Sequence, residues 1–159
     1  MSDAGRNPRL TLLVTSLAAL VLCGLPLPRA ADALRPDLLL LVVIWFALMM
    51  PRVGGLFYAW IAGLALDAFR GVVLGQNALA FVMIAFLVHR FHLRVRMFPL
   101  MHQSLVVFAL LWTHQFLLFW IDGVTGHAMT DWARWLPAIT GAALWPLWTG
   151  LFGRFTSRS

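Results

Sequence analysis

Residues 99–121 read PLMHQSLVVFALLWTHQFLLFWI, and this run decides what kind of chain it belongs to. Over those 23 residues there is no arginine, lysine, aspartate or glutamate. One crossing of a bilayer's hydrocarbon core takes about 20 apolar residues in a helix, so the run predicts a transmembrane span. Working outward, five more apolar stretches follow, at 10–28, 37–50, 53–69, 74–88 and 135–152. The fold class they imply is all-α: a polytopic membrane bundle of about six helices forming a single transmembrane domain over 1–159. Composition agrees. Apolar residues make up 62% of the chain and charged residues 11%, against about 25% charged in a soluble domain.

The stretch 37–50 is too short to span upright. Pro36 and Pro51 bracket it, and proline ends or kinks a helix, so it is expected to pack inside the bundle. The first stretch follows a polar start carrying Arg6 and Arg9. With a poor cleavage pattern and further apolar stretches behind it, it reads as an uncleaved helix. Cys23 is the single cysteine, which leaves no intrachain disulfide and no cysteine-based metal motif.

All twelve basic residues are arginine and all six acids are aspartate. With the N-terminus in the cytoplasm, Arg6, Arg9, Arg52, Arg90, Arg94, Arg96, Arg154 and Arg158 fall inside, while Arg29, Arg35, Arg70 and Arg134 fall outside. Only Asp3 joins the inner set, so the sides carry +7 and −1, which together make the chain's +6. Positive residues favour the cytoplasmic side of short loops. The expected placement is therefore multi-pass in an inner (cytoplasmic) membrane, with both termini cytoplasmic. Residues 89–96, the densest basic run, read as a cytoplasmic turn facing anionic lipid headgroups, and no nucleic-acid partner is needed to explain them. Trp120, Trp132 and Trp135 near helix ends read as interfacial anchors.

Gly55, Ala59, Gly63 and Asp67 recur every four residues and so share one helical face. Small residues at that spacing let another helix approach closely. The stripe reads first as internal packing, with a seam for a partner's helix and a substrate groove as the alternatives. Asp67 is expected to pair with Arg70 one turn on or with Arg35. Gly71 and Gly75 mark a tight turn needing unusual backbone angles. Arg35, Pro36 and Asp37 lie on the same outer side, with Asp37 placed to cap the second helix. Asn77, Gln103, His114 and Gln115 sit in apolar runs as candidate interhelical hydrogen-bonders. His114 shows no carboxylate or second histidine at ligand spacing, and no HExxH, GxSxG, Walker A or GxGxxG pattern occurs. With no acidic pair at catalytic spacing, the chain is expected to be no enzyme and to need no cofactor or metal.

Taken in order, these segments resemble the MreD family. The resemblance rests on Arg35-Pro36-Asp37-Leu38-Leu39-Leu40-Leu41 with Trp45 and Pro51-Arg52-Val53, then Gly63-Leu64-Ala65-Leu66-Asp67, Gly71 and Leu74-Gly75-Gln76-Asn77-Ala78-Leu79. Downstream, His102-Gln103-Ser104-Leu105-Val106-Val107 and Leu144-Trp145-Pro146 resemble the proteobacterial branch. The resemblance covers about Arg35 to Phe152. It implies a non-catalytic subunit of the cell-elongation (rod shape) machinery, an adaptor binding MreC directly. MreB, RodA and a class B penicillin-binding protein would belong to the same complex, and membrane lipid would surround it. It also implies a fold similar to the substrate-binding component of energy-coupling-factor transporters, which leaves a small-molecule-binding transporter component as the alternative.

Overall fold

The computed structural model describes residues 7–126 and 131–156. Asp3, Arg6 and Arg158, on which part of the charge reading rests, lie outside the described residues. Seven α-helices and one short 3-10 helix make up the described chain: α1 (Pro8–Gly24), α2 (Arg29–Ala33), α3 (Leu38–Met49), α4 (Leu56–Arg70), α5 (Gln76–Met97), α6 (Leu100–Val124), the 3-10 helix (Trp132–Trp135) and α7 (Leu136–Thr156). By length and composition alone, α5 and α6 suffice to cross a membrane, while α1 and α3 are shorter apolar helices.

α3 is the centre of the bundle. Leu39 to Leu48 are buried without a break, so this helix has no polar face to turn outward. A helix apolar on every side is stable only when surrounded, and α1, α4, α5 and α7 pack around it. Elsewhere α4 packs on α5, α5 on α6 and α6 on α7. The outward faces are apolar too: Leu13, Leu17, Phe57, Leu79, Leu105 and Leu147 are all largely exposed. A soluble bundle would place charged residues there.

Most boundaries shift by a few residues, and three differences from the sequence expectation are larger. The first helix ends at Gly24 rather than at 28, because Leu25 is already extended ahead of Pro26 and a residue before proline disfavours the helical region. Arg29–Ala33 then forms an additional short helix. The largest difference concerns 89–96, expected as a turn. α5 continues through it to Met97, since arginine and leucine are good helix formers and no glycine or proline interrupts. Arg94 and Arg96 in its last turn also complement the negative end of the helix dipole. The chain reverses at Phe98 and Pro99 instead.

The helices alternate in direction, which gives the bundle two dissimilar ends. One holds Asp32, Asp37, Asp67, Asp122 and Asp131, every aspartate among the described residues. The opposite end holds Arg9, Arg52, Arg90, Arg94, Arg96 and Arg154. There the His89 imidazole Nε2 lies 2.8 Å from the Gly54 carbonyl, linking α5 to the α3–α4 turn.

Candidate functional site: carboxylates buried at one end of the bundle

Asp67 is fully buried in the last turn of α4. Its Oδ2 accepts hydrogen bonds from the backbone N–H groups of Gly75 (2.9 Å) and Ala78 (3.4 Å). Its Oδ1 accepts from the Asn77 N–H (3.0 Å) and the Asn77 side-chain amide (2.8 Å). The first N–H groups of a helix have no partner within it, and the positive end of the helix dipole favours an anion. Asp67 thus caps α5 from the neighbouring helix. Two glycines make the geometry possible. Gly71 (φ +66°) stops α4 in the left-handed region and Gly75 (φ +100°) starts α5 there, so the chain doubles back over five residues, as the sequence reading expects of this turn.

The expected pairing of Asp67 with Arg70 or Arg35 is therefore incorrect. Asp67 has four donors, all from residues 75–78. Arg70 instead reaches Asp37, at 2.9 Å from Oδ1. Asp37 stands at the capping position of α3 but makes no side-chain capping bond, because its carboxylate is turned toward Arg70 and His114. The His114 Nδ1 lies 3.6 Å from Asp37 Oδ2. His114 is fully buried in α6 with its ring against Phe81 (centroids 5.5 Å apart), and neither ring nitrogen has a hydrogen-bond partner. Asp37 accordingly ties α3 to α4, with His114 of α6 beside the pair.

A third carboxylate repeats the pattern. Asp122, at the end of α6, accepts from the Gln76 side chain of α5 and from Arg134 of the 3-10 helix. Arg134 also lies over the Phe119 ring, and Trp135 stacks on Trp112 with centroids 4.4 Å apart. Trp120 and Trp132 remain exposed. Arg35 pairs with Asp32 at 3.4 Å and donates to the Leu22 carbonyl, fastening α2 to α1, with Pro36 half-buried beside it.

The small-residue stripe divides. Ala59 and Gly63 face into the bundle. A Cβ on Gly63 would sit 2.3 Å from the Ala78 Cα and 2.6 Å from its nitrogen. That face of α4 is filled by the start of α5, the segment Asp67 caps. Gly55 does not belong to the close approach: it precedes α4, and a Cβ there would meet nothing. Gly54 is the tight position of that turn, where a Cβ would come within 2.6 Å of the Phe46 backbone.

The structure thus brings together Asp67, Gly63, Gly71 and Gly75 in one unit and Asp37 and Arg70 in another, with Arg35 and Pro36 alongside and Gly55 at the far end. Gln76, Asp122 and Arg134 are additions, and His114 gains the carboxylate neighbour that its local sequence lacks. Among the described residues no three His, Cys, Asp or Glu side chains gather to hold a metal. Chemically, the arrangement joins helices: each carboxylate is engaged by donors from other elements.

The family model for "rod shape-determining protein MreD" matches residues 6–155. The chain is similar to the rod shape-determining protein MreD of Haemophilus influenzae, 28% identical over 144 residues that cover 91% of this chain and 88% of that protein. No solved structure matches. A match running almost end to end, on a bundle with apolar outward faces, makes the chain a member of the MreD family of rod shape-determining membrane proteins.

Proposed function

We propose that the chain is a non-catalytic, multi-pass adaptor of the cell-elongation machinery in the bacterial inner membrane. In this reading it is one transmembrane domain crossing six times, through α1, α3, α4, α5, α6 and α7. Both termini and the arginine-bearing end face the cytoplasm, and the aspartate-bearing end faces the periplasm. It binds MreC directly and shares a complex with MreB, RodA and a class B penicillin-binding protein. The plan of the bundle is taken to be that of the substrate-binding components of energy-coupling-factor transporters, without their transport activity, since likeness of fold does not transfer function.

One observation carries the reading. Asp37, Asp67 and Asp122, the groups from which acid–base chemistry would have to be made, are each held by donors of the chain itself. They fix the helix ends and leave a defined surface around them. Because α5 fills the small-residue face of α4, the reading puts the MreC contact on an outward face. The connection between α4 and α5 is the favoured place, where Val72, Val73 and Leu74 are exposed beside Gly71.

The test is affinity purification of the tagged chain from detergent-solubilised membranes, combined with depletion in a rod-shaped host. The expected result is stoichiometric MreC and rounding of depleted cells without a nutrient requirement. Recovery of an energy-coupling ATPase pair with a tightly bound metabolite would replace the adaptor with a transporter component.

A further inference from the structure

At the arginine-bearing half of the bundle, α5 and α6 part over α3 to leave an apolar groove of about 290 Å³. Leu48 of α3 forms part of its floor, Leu87, Phe91 and Val95 of α5 one wall, and Val106 and Leu110 of α6 the other. Thr113 brings the one hydroxyl, and that is already donated to the Ala109 carbonyl. The walls offer a ligand contact with hydrocarbon and nothing else.

The mouth is different. Arg94 lies three residues beyond Phe91 and seven beyond Leu87, so it continues the same row of α5. Arg90 sits one turn before it. On α6, His102 lies four residues before Val106 and continues that wall's row. Arg94 and His102 are each about one turn from the Phe98–Pro99 reversal, so they flank the mouth at one level. All three are exposed, and none has a carboxylate partner among the described residues, whose aspartates are all at the other end.

We infer that this groove is a site for one anionic phospholipid, its acyl chain lying between α5 and α6 and its phosphate held by Arg94, with Arg90 and His102 beside it. Leu87 to Val95 spans about 12 Å of helix rise, well under half of a hydrocarbon core of about 30 Å. That suits the headgroup-proximal part of a single chain. A partner's transmembrane helix, about 10–12 Å across with its side chains, is too broad and too long for it. Arginine's planar fork matches phosphate oxygens. The inference needs the chain to be a membrane protein, and does not depend on the adaptor reading or on which way the bundle faces.

The experiment uses the full chain purified in mild detergent and exposed to vesicles of equal parts phosphatidylglycerol and phosphatidylethanolamine, with retained lipid read by native mass spectrometry. The expected result is one retained phosphatidylglycerol per chain. Arg94→Gln removes a charge-assisted contact and is expected to lower retention roughly tenfold. Arg96→Gln, also exposed but on the other flank of α5, should leave it unchanged. Val106→Trp fills the groove and should abolish retention with both arginines intact. Equal retention of the two lipids, or equal loss in Arg94→Gln and Arg96→Gln, would overturn the site. So would undiminished retention in a Val106→Trp protein of normal helicity. A polyprenyl phosphate displacing phosphatidylglycerol at equal concentration would overturn the assignment of the occupant.

Discussion

Asp67 shows how much one side chain can do at the end of a buried helix pair. Its four donors include three backbone N–H groups that have no other partner in α5. Asp67→Asn keeps the size, but its amide nitrogen faces donors, so at least one buried N–H is orphaned, at a cost of about 1–3 kcal/mol. The expected outcome is a lower melting temperature in detergent with the helix content of the intact chain. A melting temperature equal to the unsubstituted protein's would show that water replaces the carboxylate there. His114 makes the opposite case. Both its nitrogens are buried without a hydrogen bond, which is costly to maintain. His114→Phe removes them and keeps the contact with Phe81, so stability should hold or rise. Rounded cells carrying a stable His114→Phe protein would show that the histidine serves shape determination and not folding.

At the scale of the element, what could be read from sequence depended on how local the cause was. Proline brackets and an unbroken apolar run sufficed to put α3 inside the bundle, and Gly71 and Gly75 announced their turn. The end of α5 differs from the expectation because three arginines and two histidines resemble a loop in composition, although each is compatible with a helix at a membrane surface. The partners of the carboxylates were illegible for a different reason. Asp37 and His114 are 77 positions apart, and only the folded bundle brings them within 3.6 Å. Asp67 had a nearer candidate in Arg70, and the backbone N–H groups that outcompete it carry no signature in residue type. Gly63 reads in the sequence as one of a row of small residues, and in the structure a Cβ there would lie 2.3 Å from the Ala78 backbone. Backbone cannot move aside as a flexible side chain can, so Gly63→Leu should cost at least the roughly 1–3 kcal/mol typical of overpacking. Lower abundance and a lower melting temperature are expected. Normal values for both, with loss of MreC alone, would place a partner's helix at this face.

For the whole molecule, the separation of charge is the property that the sequence conveyed most directly. Among the described residues, the aspartates collect at one end and arginines without a carboxylate partner at the other, with apolar faces between. The orientation proposed from this bias is open to a labelling test in a Cys23→Ser background, using a membrane-impermeant thiol reagent on intact spheroplasts. Thr125→Cys should label and Arg94→Cys should not. Labelling at Arg94→Cys with protection at Thr125→Cys would invert the bundle and exchange the two ends.

The capping of α5 by Asp67 has a consequence for how the chain is made. On the six-span reading proposed above, α4 enters the bilayer ahead of α5 with Asp67 in its last turn and none of its donors yet present, and an aspartate at membrane depth is costly. The emerging N–H groups of residues 75–78 remove that cost when they arrive. The two helices should therefore be committed to the bilayer as a pair during synthesis. A released fragment ending soon after Arg70 should leave α4 accessible to protease, and one ending beyond Met97 should not.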